Sequence, residues 1–171
     1  MQNNRIEQIN ELINSTIKEK KAKSKPYKKP KSIVDFEKEY FEYKYLGRNI
    51  PQYMRVYDKF SDKKANDLQK LTVKFFEMKG AFATRINSTG VYRADVKKFV
   101  RNTQKSGLGD VQVILNGKTI YLEIKIGNDK PSEIQLKRQN EIRKAGGVYE
   151  FVHSFDEVLQ VYSDNCCVYE T

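Results

Sequence analysis

Asp110, Glu123 and Lys125 are the residues whose types and spacing could carry chemistry. Asp110 opens a run of alternating apolar and polar residues, and Glu123 and Lys125 lie near the end of a second such run. Carboxylate oxygens are preferred ligands of Mg²⁺, and a metal-bound water is activated as a nucleophile. A neighbouring lysine can orient that water or stabilise charge that develops on a phosphate. These three residues are therefore the candidate centre for phosphodiester hydrolysis.

The Asn116-Gly117 pair predicts how the two runs face each other. Asn-Gly between alternating runs is a strong signal for a two-residue β-hairpin turn. Such a turn pairs Leu115 with Lys118, and the same register places Asp110 opposite Glu123. Directly opposed Cβ atoms are ~4.5–5.5 Å apart, and like charges at that spacing repel. A cation between the two carboxylates would relieve this repulsion, although a slip of the register would remove the geometric argument.

The hairpin has one apolar and one polar face, because side chains alternate along a strand. We predict that the apolar face is core; it consists of Val111, Val113, Leu115, Ile120, Leu122, Ile124 and Ile126. The polar face holds Asp110, Gln112, Tyr121, Glu123 and Lys125. Glu-x-Lys alone is ordinary on the wet face of a strand. The functional interpretation depends on the two acids, the lysine and the register together.

Several short motifs in order resemble the virus-type replication-repair nuclease (VRR-NUC) branch of the PD-(D/E)XK nucleases. They are Gly107-Leu108-Gly109-Asp110, Glu123-Ile124-Lys125, Ser132-Glu133-Ile134-Gln135 and Gly146-Gly147, and Thr84-Arg85-Ile86-Asn87-Ser88 fits a stretch that precedes them in phage members. The resemblance runs from residue 66 to residue 162. It implies an α/β fold with a restriction-endonuclease-like αβββαβ core, in which helices flank a central mixed sheet.

The resemblance also implies roles for individual residues. Asp110 and Glu123 would bind Mg²⁺ or Mn²⁺ with the carbonyl of Ile124, Lys125 would be catalytic, and Gln135 would support the site from a helix start. Gln135 has a structural alternative, because it stands at the third position of a capping box that Ser132 opens. Family members usually carry a Glu on the first core helix. Residues 65–69 lack one, and Asp67 or Asn66 is the candidate replacement for this metal ligand.

The formal net charge of +10 favours a polyanionic partner. Six basic side chains and one acid lie between residues 81 and 109, in what we predict is a strand followed by a long loop with a helical turn. The candidate phosphate contacts are Arg85, Arg93, Lys97, Lys98, Arg101 and Lys105. Composition does not choose among DNA, RNA and an anionic membrane face. DNA follows from the resemblance, and RNA stays open.

We divide the chain into residues 1–31, 32–62 and 63–171. The first segment is predicted to be an amphipathic helix followed by a lysine-rich linker, the second a helical extension opened by Ser32 as an N-cap, and the third the nuclease-like domain. The N-terminal helices could pack on the main domain, on a second copy in a homodimer, or on another protein. No apolar run approaches the roughly 20 residues of a membrane span, and no signal-peptide core is evident. We therefore expect no membrane association and a cytoplasmic location, or a virion if the chain is phage-encoded.

His153, Cys166 and Cys167 do not provide the spaced ligands of a zinc site or a disulfide framework. We expect His153 to be a structural or surface residue. The leading hypothesis is a Mg²⁺- or Mn²⁺-dependent DNA endonuclease, with branched or flapped DNA in replication, recombination or repair as its candidate substrates. A non-catalytic nucleic-acid-binding protein and a virion structural protein that retain the nuclease fold are the alternatives.

Overall fold

The computed structural model describes residues 27–86, 91–100 and 105–166. Its elements are α1 (Lys31–Tyr45), a 3₁₀ turn (Gln52–Met54), α2 (Ala65–Met78), β1 (Phe82–Arg85), β2 (Val91–Arg93), β3 (Lys98–Val100), β4 (Val111–Leu115), β5 (Lys118–Ile124), α3 (Glu133–Lys144), β6 (Val148–Val152) and α4 (Phe155–Asn165). The predicted helix with Ile6, Ile9, Ile13 and Ile17, and most of the lysine-rich linker, lie outside the described residues.

The main sheet has four strands in the order β1-β4-β5-β6. The pairs β1–β4 and β4–β5 are antiparallel, whereas β6 runs parallel to β5. A parallel neighbour requires a crossover connection, and α3 supplies it between β5 and β6. The predicted order αβββαβ, with a central mixed sheet flanked by helices, is confirmed. The fold class is therefore restriction-endonuclease-like α/β.

The β4–β5 hairpin has the predicted turn and register. Asn116 and Gly117 have φ values of 50° and 76°, and positive φ at both turn residues is what a type I′ turn requires. The ladder runs from the Leu115–Lys118 pair to the Val111–Leu122 pair. The apolar face is core as predicted: Val111, Val113, Ile120 and Leu122 are fully buried.

The first described helix belongs to the same core as the sheet. Ile33 and Phe36 of α1 are buried, and the Phe36 ring lies 5.5 Å from that of Phe155 in α4. The predicted N-cap at Ser32 is wrong, because α1 begins after Pro30 and no side chain caps it. Proline fixes a φ suited to a helix start, and the helix begins two residues earlier than predicted. The Ser32 Oγ consequently lies inside the first turn, buried and without a hydrogen-bond partner.

The segment between β1 and β4 differs from the predicted loop. Strands β2 and β3 pair with each other as a separate two-stranded antiparallel sheet, joined by a turn. Lys97 in that turn has φ 49°, a conformation that residues other than glycine adopt infrequently. Strands of three residues are too short to produce a recognisable alternation in the sequence. In the described part of the chain, no helix is long and apolar enough to cross a membrane.

Candidate active site

Asp110 is held at the point where β4 leaves its loop. Its backbone N–H donates to the Leu122 carbonyl at 2.8 Å, and its carbonyl accepts from the Ile86 N–H at 2.8 Å. The preceding Gly109 has φ 88°, and a Cβ there would lie 3.1 Å from the Leu122 oxygen. Glycine allows this close approach of the loop to β5. The backbone that carries the carboxylate is thus bound to both neighbouring strands.

The Asp110 side chain reaches across to the end of β5. The regular ladder ends at the Val111–Leu122 pair, one step before Asp110 and Glu123. Beyond it, Asp110 Oδ2 accepts a hydrogen bond of 2.9 Å from the Ile124 N–H. This side-chain bond replaces a ladder bond and holds the carboxylate beside the backbone between Glu123 and Lys125. The Asp110 side chain therefore connects the start of β4 to the end of β5.

Glu123 is a buried carboxylate with three polar neighbours. Its side chain accepts from Gln135 Nε2 at 2.5 Å and lies 3.4 Å from Lys125 Nζ. The Tyr149 hydroxyl is 3.5 Å from Glu123 Oε2. Burial, and next the charge of Asp110, raise the pKa of Glu123, while Lys125 opposes them. A cation bound near Asp110 and Glu123 would offset the repulsion between their carboxylates.

Lys125 follows the last residue of β5 and is 4% exposed. Its ammonium lies 3.4 Å from Glu123 Oε1 and 3.3 Å from Asp129 Oδ2. Its backbone N–H donates to the Val152 carbonyl at 2.9 Å, which anchors the residue to β6. The polar face of the hairpin is therefore buried at this end, and the Lys125 ammonium lies between the Glu123 and Asp129 carboxylates. Sequence reasoning missed Asp129, since an acid in a polar loop is an ordinary surface residue.

Gln135 makes the contacts that both interpretations of this residue require. Its Oε1 accepts from the Ser132 N–H at 2.8 Å, and its own N–H donates to Ser132 Oγ at 3.4 Å, which completes a capping box. Its Nε2 is the group that donates to Glu123. One amide therefore finishes the start of α3 and holds an acid of the candidate site.

We expect Gln135→Glu to separate these two roles. Glutamate can still cap the helix, but it replaces the donor that faces Glu123 with a second negative charge. Loss of a group that orients a metal ligand costs about 10–100-fold in metal affinity or activity, so any cleavage activity should fall by about that factor. Ser132→Ala is the control, because it removes the cap without touching Glu123 and should cost about 1 kcal/mol of stability. Equal cleavage by the Gln135→Glu variant and wild type, measured as single-turnover rates, would contradict the assignment.

Tyr149 is the second residue that sequence reasoning missed. It lies in β6, is fully buried, and its hydroxyl donates to the Gly107 carbonyl at 3.0 Å. Burial raises the pKa of Tyr149, so the hydroxyl keeps its proton. A tyrosine in an alternating strand gives no sign in the sequence that its hydroxyl points at an acid.

The predicted phosphate contacts lie along the chain from the end of β1 to β4. Arg85 is exposed at the end of β1 and bonds to the Gln69 side chain of α2. Lys97, Lys98 and Lys105 are exposed. Arg93 lies in β2, and Arg101 lies outside the described residues, as do Asn87 and Ser88. The structure thus places four of the six predicted side chains on the surface; their role stays a prediction.

The donor set suits a hard divalent cation. Within residues 27–86, 91–100 and 105–166, no three His, Cys, Asp or Glu side chains form a group that could hold a metal. Asp67, in the first turn of α2, is therefore not gathered with Asp110 and Glu123. Two carboxylates and the Ile124 carbonyl remain as candidate ligands. Mg²⁺ is commonly bound through one or two carboxylates, with water and substrate phosphates as its other ligands, so the residues present fit such an ion.

His153 is not part of this group. Its backbone N–H donates to Glu157 Oε2 at 2.8 Å, and its ring Nδ1 lies 3.1 Å from the same oxygen. The side chain is half exposed. These contacts agree with the expected surface role at the start of α4.

The chain has a similar counterpart among solved structures. No family model matches the chain, and no curated protein matches it. A solved structure described as a VRR_NUC domain is 26% identical, with 58% of this chain and 94% of that chain covered and a TM-score of 0.45. The chain is thus similar to a VRR_NUC domain over somewhat more than half of its length.

Proposed function

We propose that this protein is a metal-dependent nuclease that hydrolyses phosphodiester bonds in DNA as an endonuclease. The observation that carries the proposal is the convergence of Asp110, Glu123 and Lys125 at the ends of β4 and β5. The Lys125 ammonium contacts one of the two carboxylates, and the chain also carries an exposed basic segment. Both features suit a phosphate substrate. The motif resemblance favours DNA over RNA.

In this proposal Asp110, Glu123 and the Ile124 carbonyl hold Mg²⁺ or Mn²⁺. When bound, the ion supplies Lewis acidity toward a phosphoryl oxygen and lowers the pKa of a coordinated water. Lys125 orients the attacking water and stabilises the negative charge that develops on the phosphate. Gln135 keeps the Glu123 carboxylate in place through its amide N–H, and the Ile124 N–H does the same for Asp110.

The exposed basic side chains would contact the DNA backbone. Lys97 and Lys98 lie within the β2–β3 hairpin, Arg85 precedes it and Lys105 follows it. Arg93 and Arg101 belong to the same stretch of the sequence. Contacts to phosphates fix the position of a duplex and carry no sequence information. Binding should therefore weaken steeply with salt. A preference for branched or flapped DNA, as in replication, recombination or repair, belongs to this proposal.

One observation favours a second candidate, a binding protein that retains the fold without cutting. In the described part of the chain, no third acid joins Asp110 and Glu123, whereas the family resemblance implies a Glu on the first core helix. A site with fewer ligands would hold an ion more weakly. Nucleic-acid binding through the basic surface would persist without it.

The decisive experiment measures cleavage of supercoiled, linear and branched DNA with Mg²⁺, Mn²⁺ or EDTA. Asp110→Ala removes one candidate ligand and is expected to lower cleavage by at least about 10²-fold. Asp164→Ala is the matched control, because Asp164 is an exposed acid of α4 that bonds to Gln160. It should cleave at the wild-type rate.

The possible results separate the functions. Cleavage that continues in EDTA, or in the Asp110→Ala variant, would contradict the proposed metal centre. Salt-sensitive DNA binding without cleavage under any metal condition would support the non-catalytic binding protein. A protein that neither binds nor cuts would shift weight to a structural role in a virion.

A further inference from the structure

The Tyr149 hydroxyl contacts both of the segments that carry the candidate acids. It donates to the Gly107 carbonyl at 3.0 Å and lies 3.5 Å from Glu123 Oε2. The side chain is 0% exposed, so water cannot serve these partners in its place. Buried polar groups in proteins are nearly always hydrogen-bonded. The position of this hydroxyl therefore affects the two acceptors together.

Gly107 belongs to a short segment, residues 106–109, that leads directly into Asp110; we call it the strap. Arg138 of α3 donates from Nε to the Ser106 carbonyl at 3.2 Å. A Cβ on Gly107 would lie 3.2 Å from Ile134, and one on Gly109 would be as close to β5. The strap is thus confined between α3 and β5. Because the strap leads directly into Asp110, the position of the strap determines the position of the Asp110 carboxylate.

The hydroxyl does something that the ring of Tyr149 alone could not do. The ring packs against Phe151, with centroids 5.5 Å apart, and a phenylalanine would keep that contact. Within Tyr149, only the O–H donates to the strap, and removing it leaves the Gly107 carbonyl without this donor. A hydroxyl has one proton, which points to the Gly107 carbonyl at 3.0 Å and is shared with Glu123 Oε2 at the longer distance of 3.5 Å.

We propose that Tyr149 is a positioning residue that sets the Asp110 and Glu123 carboxylates relative to each other for binding a divalent cation. It acts on Glu123 directly and on Asp110 through the strap. The inference rests on the proposed metal-dependent function, and it adds a residue and a coupling that the motifs do not contain. Tyr149 itself would touch neither the ion nor the DNA.

The test is Tyr149→Phe, titrated with Mn²⁺ alone in the absence of DNA. We expect the Kd for Mn²⁺ to rise about tenfold, as for other residues that orient metal ligands. A second reporter is the Ile124 amide, which bonds to Asp110 Oδ2. Its hydrogen exchange in metal-free protein should accelerate about fivefold if the Asp110 carboxylate loses its fixed position. Cleavage by the variant should recover at high Mn²⁺, which a general loss of folding would not allow.

Tyr121→Phe is the matched control. Tyr121 pairs with Tyr149 in the β5–β6 ladder, and its hydroxyl contacts Gln112 at 3.4 Å. Removing that hydroxyl should change neither the Kd for Mn²⁺ nor the exchange of the Ile124 amide. A comparable loss in both variants would overturn the specific role of Tyr149.

Two further outcomes keep this inference distinct from the proposed function. Wild-type protein that binds Mn²⁺ no better than Asp110→Ala would overturn the metal centre itself, and this inference with it. Mn²⁺ binding that depends on Asp110 but is unchanged in Tyr149→Phe would overturn this inference alone. If Tyr149→Phe does not fold, Arg138→Met releases the strap at Ser106 instead. Unchanged Mn²⁺ affinity in that variant would overturn the coupling between strap and site.

Discussion

Replacing Lys125 with methionine is expected to lower the single-turnover rate of DNA cleavage by about 10²–10³-fold at saturating Mg²⁺. Methionine fills the buried path of the lysine stem with an unbranched chain of similar length. It removes the ammonium that lies beside Glu123 and Asp129, and with it the positive charge available to water and phosphate. The expected loss is in the chemical step. Binding of DNA, measured with Ca²⁺ in place of Mg²⁺, should remain near the wild-type value.

Lys118→Met is the control for this prediction. Lys118 begins the same strand, at the far end from the candidate site, so its replacement should leave the cleavage rate within about threefold of wild type. A similar rate for Lys125→Met would show that the ammonium is not required. A rate that falls only because DNA binding falls would reassign Lys125 to phosphate binding.

Replacing Phe155 with alanine is expected to lower the free energy of unfolding by about 3–5 kcal/mol. The side chain is 0% exposed, and its ring lies 5.5 Å from both Phe36 and Phe75. These rings belong to α1, α2 and α4, so one truncation opens a cavity where three helices meet. Urea denaturation followed by circular dichroism measures the effect.

Tyr43→Ala provides the comparison for the Phe155 variant. Tyr43 lies near the end of α1 and is 48% exposed, so its truncation should change the stability by about 0.5 kcal/mol. A loss below about 1 kcal/mol in Phe155→Ala would mean that the helices do not depend on a shared core. A separate early transition would indicate that α1 unfolds apart from the sheet.

The parts of the fold that were predictable are those set by local sequence. A type I′ turn requires positive φ at two successive residues, which Asn and Gly adopt readily. Asn116 and Gly117 therefore predicted the turn, the register and the buried face of β4 and β5. Ser132 and Gln135 form the expected capping box. Each signal acts over a few residues. The motif resemblance then predicted the order of the helices and strands in the core.

The parts that could not be predicted depend on residues far apart in the chain. Glu123 is buried beside Gln135 of α3 and Tyr149 of β6, both of which follow it at a distance in the chain. Tyr149 and Gly107 are in contact although they lie 42 positions apart in the chain. The sequence around either residue does not indicate this contact. The β2–β3 hairpin was missed for a different reason, since its strands are too short for a periodic pattern.

At the end of the β4–β5 hairpin, the proposed function and the stability of the fold favour different side chains. Glu123 and Lys125 lie largely out of water, and the desolvation of buried charges offsets much of what their pairing contributes. Neutral or apolar replacements at these positions would be expected to give a more stable chain. Selection for stability alone would therefore erase this cluster. The proposed function therefore explains the buried charges at the end of β5 better than stability does.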